Sequence, residues 1–237
     1  MSQSVILAAD DFFAPLKATG IWKVIGDALV ETLQMVAISG IATVLIGTVF
    51  GVLLWASSRG GILPKWLDVF VKVVLSWVIV NILRSIPYAI LMLTLIPFTR
   101  ILVGTSLGPM AASVSLTIGT VPFFARLVES ALREVDRGKL DAASVMGSSR
   151  FQLVSKVALP EARPAMVAAI TTTVVTLVGY SAMAGLIGGG GLGRLAYNYG
   201  YQRFELSIML VVLVIMVVLV QLIQFLGDRL TRVVDHR

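Results

Sequence analysis

Residues that could carry metal, thiol or imidazole chemistry are almost absent from this chain of 237 residues. There is no cysteine, so no disulfide, iron–sulfur cluster or thiolate zinc site can form. The single histidine, His236, stands next to the C-terminus, which argues against a histidine-based metal or catalytic site. We therefore expect no metal ligands and no catalytic residues in this chain.

One glycine run satisfies a nucleotide-binding pattern. Gly188, Gly190 and Gly193 fit G-x-G-x-x-G, but that pattern binds a dinucleotide only between a strand and a helix of a βαβ unit. Here it follows a long apolar segment. We interpret it as a flexible outer turn in which glycine permits tight bends and close backbone contact.

The chain also lacks the usual means of driving transport by itself. Asp68 is the only acidic residue from Thr32 to Val128, and none occurs from Ala162 to Phe204. Carriers coupled to protons or sodium normally need carboxylates or histidines inside the membrane. The phosphate loop G-x-x-x-x-G-K-[ST] is missing as well. The protein is therefore either passive or takes its energy from another subunit.

The longest polar interruption between apolar segments runs from Lys139 to Pro164, and its pattern predicts two short helices. Asp141–Met146 forms the first, and Gly147 is the residue expected at a left-handed cap. Ser149 and Gln152 form a capping box that begins the second helix.

The second of these helices has one apolar face, made by Phe151, Val154, Val157 and Ala158. Pro160 is expected to end the helix. A compact platform of this kind, with small residues in its first helix, suits the docking of a partner protein. The alternative is a solvated loop helix without a partner.

This stretch resembles the signature loop of membrane permease subunits of ABC importers, written E-A-A, three residues, G, nine residues, I, one residue, L-P. Every spacing is kept, and two positions differ, because Asp141 replaces the glutamate and Val157 replaces the isoleucine. The resemblance implies that the loop couples the permease to an ATPase. The matching residues are Asp141, Ala142, Ala143, Gly147, Val157, Leu159 and Pro160.

The composition indicates a membrane protein. Hydrophobic residues make up 57% of the chain and charged residues only 14%, whereas charged residues make up about a quarter of a typical soluble domain. The mean hydropathy is +0.94. A segment of about 20 apolar residues can cross a bilayer. The segments that qualify are Leu33–Ala56, Val69–Pro97, Leu107–Leu127, Ala165–Ile187 and Leu206–Leu226.

The basic residues predict the orientation of these segments. Twelve of the 19 lysines and arginines follow the first, third or fifth segment. The positive-inside rule therefore places the polar loop and the C-terminus in the cytoplasm and the N-terminus outside. We expect residues 1–26 to form an outer N-terminal segment that is not a signal peptide. Residues 27–237 would form the transmembrane domain, with the coupling loop at 139–164. This topology accounts for the net charge of +6 without a nucleic-acid partner.

Two stretches inside the apolar segments could line a path for a solute. Arg84 lies near the middle of the second segment, where an arginine must face protein or water, and Pro87 would kink the helix. In the fourth segment, Met183 is the one bulky, flexible side chain among small neighbours, close to Tyr180 and Ser181. Each stretch has an alternative interpretation as helix packing.

These stretches are similar to the methionine-uptake permease family. Leu83–Pro87 resembles the R-x-x-P element of permeases for amino acids, and the similarity extends over almost all of the chain beyond residue 26. The chain is thus identified as resembling the permease subunit of a methionine ABC importer. That resemblance implies an all-α membrane protein of the type I ABC importer permease fold. It would have five transmembrane helices, with cytoplasmic coupling helices between the third and fourth.

The resemblance also implies the partners. They are a second copy of the chain, two cytoplasmic ABC ATPase subunits that bind ATP and Mg²⁺, and an extracytoplasmic substrate-binding protein. The assembly would stand in the bacterial cytoplasmic (inner) membrane and translocate D- and L-methionine. This chain would be a transport subunit and not an enzyme, with no cofactor of its own. The alternatives are a permease for another small amino acid and a passive channel.

Overall fold

The computed structural model describes residues 12–58 and 64–235, and within these ranges the chain forms helices and no strand. Five of the helices are long and apolar enough to cross a membrane. The helices named below are α1 Ile21–Ser58, α2 Lys65–Ser85, α3 Tyr88–Thr94, α4 Ile96–Val103, α5 Pro109–Arg133, α6 Arg137–Val145, α7 residues 150–161, α8 Arg163–Ala184, α9 residues 191–201 and α10 Leu206–Val234.

The five expected spans correspond to α1, α2, α5, α8 and α10, and most of these helices are longer than the apolar segments. Their length follows from the solvent, because a backbone in lipid must satisfy its own hydrogen bonds and a continuous helix does so. Carboxylates that the apolar segments excluded therefore belong to spanning helices, among them Glu31 in α1 and Glu129 in α5. Of the predicted outer segment 1–26, residues 1–11 lie outside the described residues, and α1 already begins at Ile21.

The second span is shorter than predicted. It ends at Ser85, and Ile86 is extended, with φ −85° and ψ 124°. Pro87 causes this break, because the ring of a proline disfavours the helical conformation of the preceding residue. Residues 88–103 then form the separate short helices α3 and α4, and do not prolong the second span.

The chain divides into two compact units. The first contains the described residues 12–39, 88–116 and 176–222, and the second contains 40–58, 64–87, 117–175 and 223–235. Four of the five boundaries between the units fall within α1, α5, α8 and α10, and the fifth lies between Pro87 and Tyr88, where α3 begins.

Each unit has its own apolar core. In the first unit, Ile21 and Ile25 of α1 are buried with Leu192 of α9 and with Ile208 and Val212 of α10. In the second unit, one cluster joins α1, α5 and the polar loop, and another joins α1, α5 and α2. The first of these clusters contains Trp55, Phe124, Leu132, Leu140, Leu153 and Ala158, and the second contains Leu54, Val71, Leu75, Val80 and Ala125.

Candidate functional site

The polar loop between the third and fourth spans forms two short helices, α6 and α7, as predicted. The Asp136 carboxylate begins α6 by accepting a hydrogen bond of 2.6 Å from the backbone N–H of Gly138. At the other end, Gly147 has a φ of +82°. The N–H of Gly147 bonds to the carbonyl of Ser144 and the N–H of Ser148 to that of Ala143, both at 3.1 Å. These two bonds form a Schellman motif, which explains why the helix ends at a glycine.

The predicted capping box at the start of α7 is confirmed. The Ser149 hydroxyl accepts from the N–H of Gln152 at 3.3 Å, and the N–H of Ser149 donates to the Gln152 side chain at 2.9 Å. The turn between the helices therefore spans only residues 146–149, held by backbone bonds on one side and by this box on the other. The two helices have a defined spacing because both of their facing ends are capped.

The predicted apolar face of α7 is wrong at one position. Phe151 is 79% exposed, while Leu153 and Ala158 are buried. The cause is a stretch of wide π-helical turns at Leu153–Ala158, in which residues five apart share a face. The same turns correct the prediction for Pro160. The helix continues through this proline to Glu161, since wide turns remove the usual clash with the carbonyl four residues earlier.

The loop therefore has an inner side and an outer side. Leu140 of α6 and Leu153 and Ala158 of α7 are buried in the core with the end of α1 and with α5. An ion pair between Lys139 and Glu161 joins the start of α6 to the end of α7. Exposed ion pairs of this kind contribute little, so the apolar core holds the two helices in place.

The outer side carries three large apolar side chains that the sequence analysis did not single out as contact residues. Val145 is 89% exposed, Met146 86% and Phe151 79%. They flank Gly147 at the junction of the two helices. A signal was present in the sequence, because Val145 and Met146 are an apolar pair directly before the capping glycine in an otherwise polar stretch. We call Val145, Met146 and Phe151 the outer patch.

The residues of the signature loop are divided between these two sides. Asp141, Ala142 and Gly147 are exposed and Ala143 is half-buried, so the first part of the motif borders the outer patch. The second part lies on α7, where Val157, Leu159 and Pro160 are half-buried.

The predicted path residues fall in different units, so the two groups are described separately. Arg84, expected near the middle of the second span, lies instead in the last turn of α2, where it is exposed. Pro87 is also exposed, directly after the extended Ile86. Arg84 is therefore a residue at the end of a helix, and the break made by Pro87 is the reason.

In the first unit, Tyr180, Ser181 and Met183 have three different environments. The ring of Tyr180 stacks on that of Tyr88, with 4.3 Å between the ring centroids and 2° between the ring planes. Ser181 is buried and donates to the carbonyl of Val178 at 2.7 Å. Met183 is 45% exposed. Among the three, Met183 is thus the side chain that a second molecule could contact.

The glycine run after α8 is a tightly enclosed turn. Gly189, Gly190, Gly191 and Gly193 are all buried, so the turn is not the open, flexible one that was predicted, and its position on the outer side stays a prediction. A β-carbon on Gly193 would overlap the backbone of Ala182. The run is rich in glycine because there is no room for side chains.

Two residues missed by the sequence analysis hold this turn to α1. The carboxylate of Glu31 accepts from the N–H of Gly191 at 2.6 Å, and the hydroxyl of Thr32 accepts from the N–H of Leu192 at 2.9 Å. These N–H groups lack partners within α9, because they belong to its first turn. A carboxylate is favourable there, since the N-terminus of a helix carries a partial positive charge.

The described residues contain no group of three or more histidine, cysteine, aspartate or glutamate side chains that could hold a metal ion. The arrangement that remains is a rigid platform with an exposed apolar patch on one side. Such an arrangement can bind a protein.

Comparison with known proteins gives the same picture. Residues 47–237 match the family model described as binding-protein-dependent transport system inner membrane component. The chain is 48% identical over 207 residues to the probable D-methionine transport system permease protein MetI of Vibrio cholerae, covering 87% of this chain and 90% of that protein. It is 43% identical over 228 residues to the methionine import system permease protein MetP of Bacillus subtilis, covering 96% and 99%.

A solved structure has the same fold. It is described as an inward-facing conformation of the MetNI methionine ABC transporter, with a TM-score of 0.87 and 46% identity over 92% of this chain and 100% of that one. The predicted fold class, an all-α permease of the type I ABC importer fold with five spanning helices, is confirmed. The chain belongs to the family of binding-protein-dependent transport system inner membrane components.

Proposed function

We propose that this chain is the membrane-spanning subunit of an ATP-driven importer of methionine, and that the outer patch is where an ATPase subunit binds. The observation that carries the proposal is the exposure of Val145, Met146 and Phe151 on a platform whose other side is buried. Adjacent apolar side chains of this size, exposed at the tip of a rigid element, indicate a protein interface. The patch lies inside the signature loop, next to Asp141 and Gly147.

The choice of methionine is supported by the relatives, because two proteins with 43–48% identity are named as permeases for methionine. Their similarity includes the spanning helices, where a transported solute must pass. The cargo proposed here is therefore methionine in both D and L forms, carried by a transport subunit that is not itself an enzyme.

The partners follow from the same similarity. The assembly contains two copies of this chain and two cytoplasmic ATPase subunits, and ATP and Mg²⁺ bind to the ATPases. A binding protein delivers the substrate from outside. The N-terminus of the permease lies outside the inner membrane, and its C-terminus lies in the cytoplasm, as the basic residues predict.

A direct mechanical route leads from the outer patch into the membrane. Helix α7 ends at Glu161 and α8 begins at Arg163, so hardly any chain separates the platform from the fourth span. When the ATPases close on ATP, a displacement of the platform moves α8, which also carries Met183. ATP and the binding protein can drive this change only to the extent that each binds one conformation better than the other.

The test is reconstitution of the chain with the ABC ATPase and binding protein encoded by neighbouring genes. We expect the three proteins to purify together and to take up labelled methionine into liposomes only when ATP is present. Uptake without ATP would show a passive channel, and uptake of a different amino acid in place of methionine would show the wrong cargo. The outer patch is tested by the double variant Phe151→Ser with Val145→Ser. This variant should release the ATPase while the permease remains in the membrane.

A further inference from the structure

A charged network in the second unit joins α5 to α2 around one buried carboxylate, that of Glu129. The guanidinium of Arg126 donates to Glu129 on its own helix at 2.7 Å through Nη1. Through Nη2 it donates to two acceptors on α2, the Ser76 hydroxyl and the Asn81 side-chain oxygen, each at 2.9 Å. One side chain thus spans two helices with three hydrogen bonds.

Glu129 holds Arg126 in this orientation. Its side chain is only 6% exposed, and its other oxygen accepts from Arg133 at 2.6 Å. A buried carboxylate without partners is strongly destabilising, so Glu129 requires the arginines beside it. Because Glu129 binds Nη1 of Arg126, Nη2 is left to point towards α2. The planar guanidinium makes this division possible, since it offers several donors in a fixed geometry.

The two acceptors share one face of α2 only because that helix is widened. Val71–Ile82 forms π-helical turns, in which the backbone bonds run from residue i to residue i+5. Ser76 and Asn81 are five residues apart and therefore lie one above the other. In an α-helix, residues three or four apart share a face, and one guanidinium could not easily reach both acceptors. Wide turns are rare and often occur at functional sites.

The network continues towards the end of α2. The backbone carbonyl of Asn81 accepts a hydrogen bond of 2.9 Å from the hydroxyl of Ser85. Ser85 is the last residue of α2, directly before Ile86 and Pro87. The residue that Arg126 binds is thereby joined to the turn in which the helix breaks.

We propose that Arg126 is a positioning residue for transport. By joining Glu129 to Ser76 and Asn81, it keeps α2 in its widened register and so fixes the turn at residues 84–87. This inference rests on the proposed function, because it assumes that the chain moves a solute. The role is a mechanical one, and Arg126 itself need not touch the substrate.

The structure supplies a matched control in Arg133. Both arginines lie on α5 and bind Glu129 within that helix, but Arg126 also donates to Ser76 and Asn81 of α2. Replacing each by lysine keeps the charge. Lysine has a single ammonium group and cannot reproduce the fork that reaches Glu129 and α2 together. Comparing Arg126→Lys with Arg133→Lys therefore distinguishes the effect of losing the hydrogen bonds between α5 and α2 from any effect of changing an arginine beside Glu129 while its charge is kept.

The experiment uses the reconstituted complex with its ATPase and binding protein. We expect Arg126→Lys to lower the amount of methionine transported per ATP hydrolysed by about tenfold, while Arg133→Lys behaves like the wild type. A spin label on Trp77→Cys, in a chain that otherwise has no cysteine, should become more mobile in Arg126→Lys only. A purely structural role would lower the yield without changing transport per ATP.

The double variant Ser76→Ala with Asn81→Ala removes the acceptors and leaves every charge in place. This double variant should reproduce the loss of methionine transport per ATP hydrolysed. It also tests the proposal if Arg126→Lys fails to assemble. Transport within twofold of wild type in this variant, or an equal loss in Arg133→Lys, overturns the proposal. If the wild-type complex transports no methionine, the proposed function fails instead, and the label at position 77 still tests the bridge.

Discussion

The molecule contains two glycine turns that look alike in the sequence but require glycine for different physical reasons. Gly147, in the second unit, has a φ of +82°, and a β-carbon added there would meet nothing within 4 Å. Gly190, in the first unit, has a φ of +90°, but a β-carbon there would stand 2.5 Å from the carboxylate of Glu31. The first position needs glycine for its backbone conformation alone, and the second needs it for space as well.

The difference separates an exposed turn from a turn that is enclosed by its own unit. Around Gly147 the surface is open, and the outer patch remains free to bind another protein. The turn at 188–193 is enclosed by its own unit, and the N–H groups of Gly191 and Leu192 are already bound by Glu31 and Thr32. Substitutions in the 188–193 turn should therefore lower stability, whereas substitutions at Gly147 should impair assembly with the ATPase.

The largest effect is expected at Gly193. In Gly193→Ala the new methyl group would overlap the backbone of Ala182, which cannot move aside as a flexible side chain could. We expect a loss of about 3 kcal/mol in the free energy of unfolding, seen as lower yield and a lower thermal midpoint of the purified complex. The control is Gly179→Ala on α8, where a β-carbon meets nothing within 4 Å. A wild-type midpoint for Gly193→Ala would show that the turn has room to relax.

The next effect is expected at Gly147, and it should concern assembly more than stability. Gly147→Val puts a branched side chain at a left-handed position and costs about 1–2 kcal/mol locally, so the Schellman turn distorts and the outer patch moves. The permease should insert normally but retain little ATPase on purification. Gly147→Asn is the matched control, because asparagine tolerates this conformation. A full complement of ATPase with normal transport in Gly147→Val would contradict the prediction.

A smaller effect is expected from the cap on α9. Glu31→Ala removes an acceptor from the first turn of the helix and should lower the free energy of unfolding by about 1 kcal/mol. Glu31→Gln keeps an oxygen that can accept from Gly191 and should retain most of the stability. Thermal unfolding of the purified complex compares the two. Equal midpoints for both variants and the wild type would mean that the hydrogen bond is replaced by water.

The smallest effect on stability is expected at Met183, which is exposed in the single chain. In a twofold pair, two copies of this residue could meet and close the path. Met183→Ala should leave the thermal midpoint unchanged and raise ATP hydrolysis without transport. Cysteine at position 183 should cross-link between subunits without nucleotide and less with ATP. If no cross-link forms, or if its yield does not change with nucleotide, Met183 is a residue of helix packing and does not close the path.

Local features of the polar loop could be predicted because their hydrogen bonds join residues close in sequence. The left-handed Gly147 and the capping box of Ser149 and Gln152 are of this kind. The predictions for Phe151 and Pro160 were wrong because they assumed ordinary α-helical spacing. The wide turns at Leu153–Ala158 are not visible in the pattern of residue types.

The sequence by itself determined the membrane location, the approximate positions of the five spans and the position of the polar loop between the third and fourth spans. These follow from composition, from segment length and from spacing along a short stretch of chain. Tertiary structure alone decided which sides of the loop are buried, how Glu31 caps α9 and how Arg126 reaches α2. Gly191 is 160 residues away from Glu31, and Ser76 is 50 residues away from Arg126. The physical reason is that a hydrogen bond depends on distance in space, and folding brings these groups together only when the helices pack.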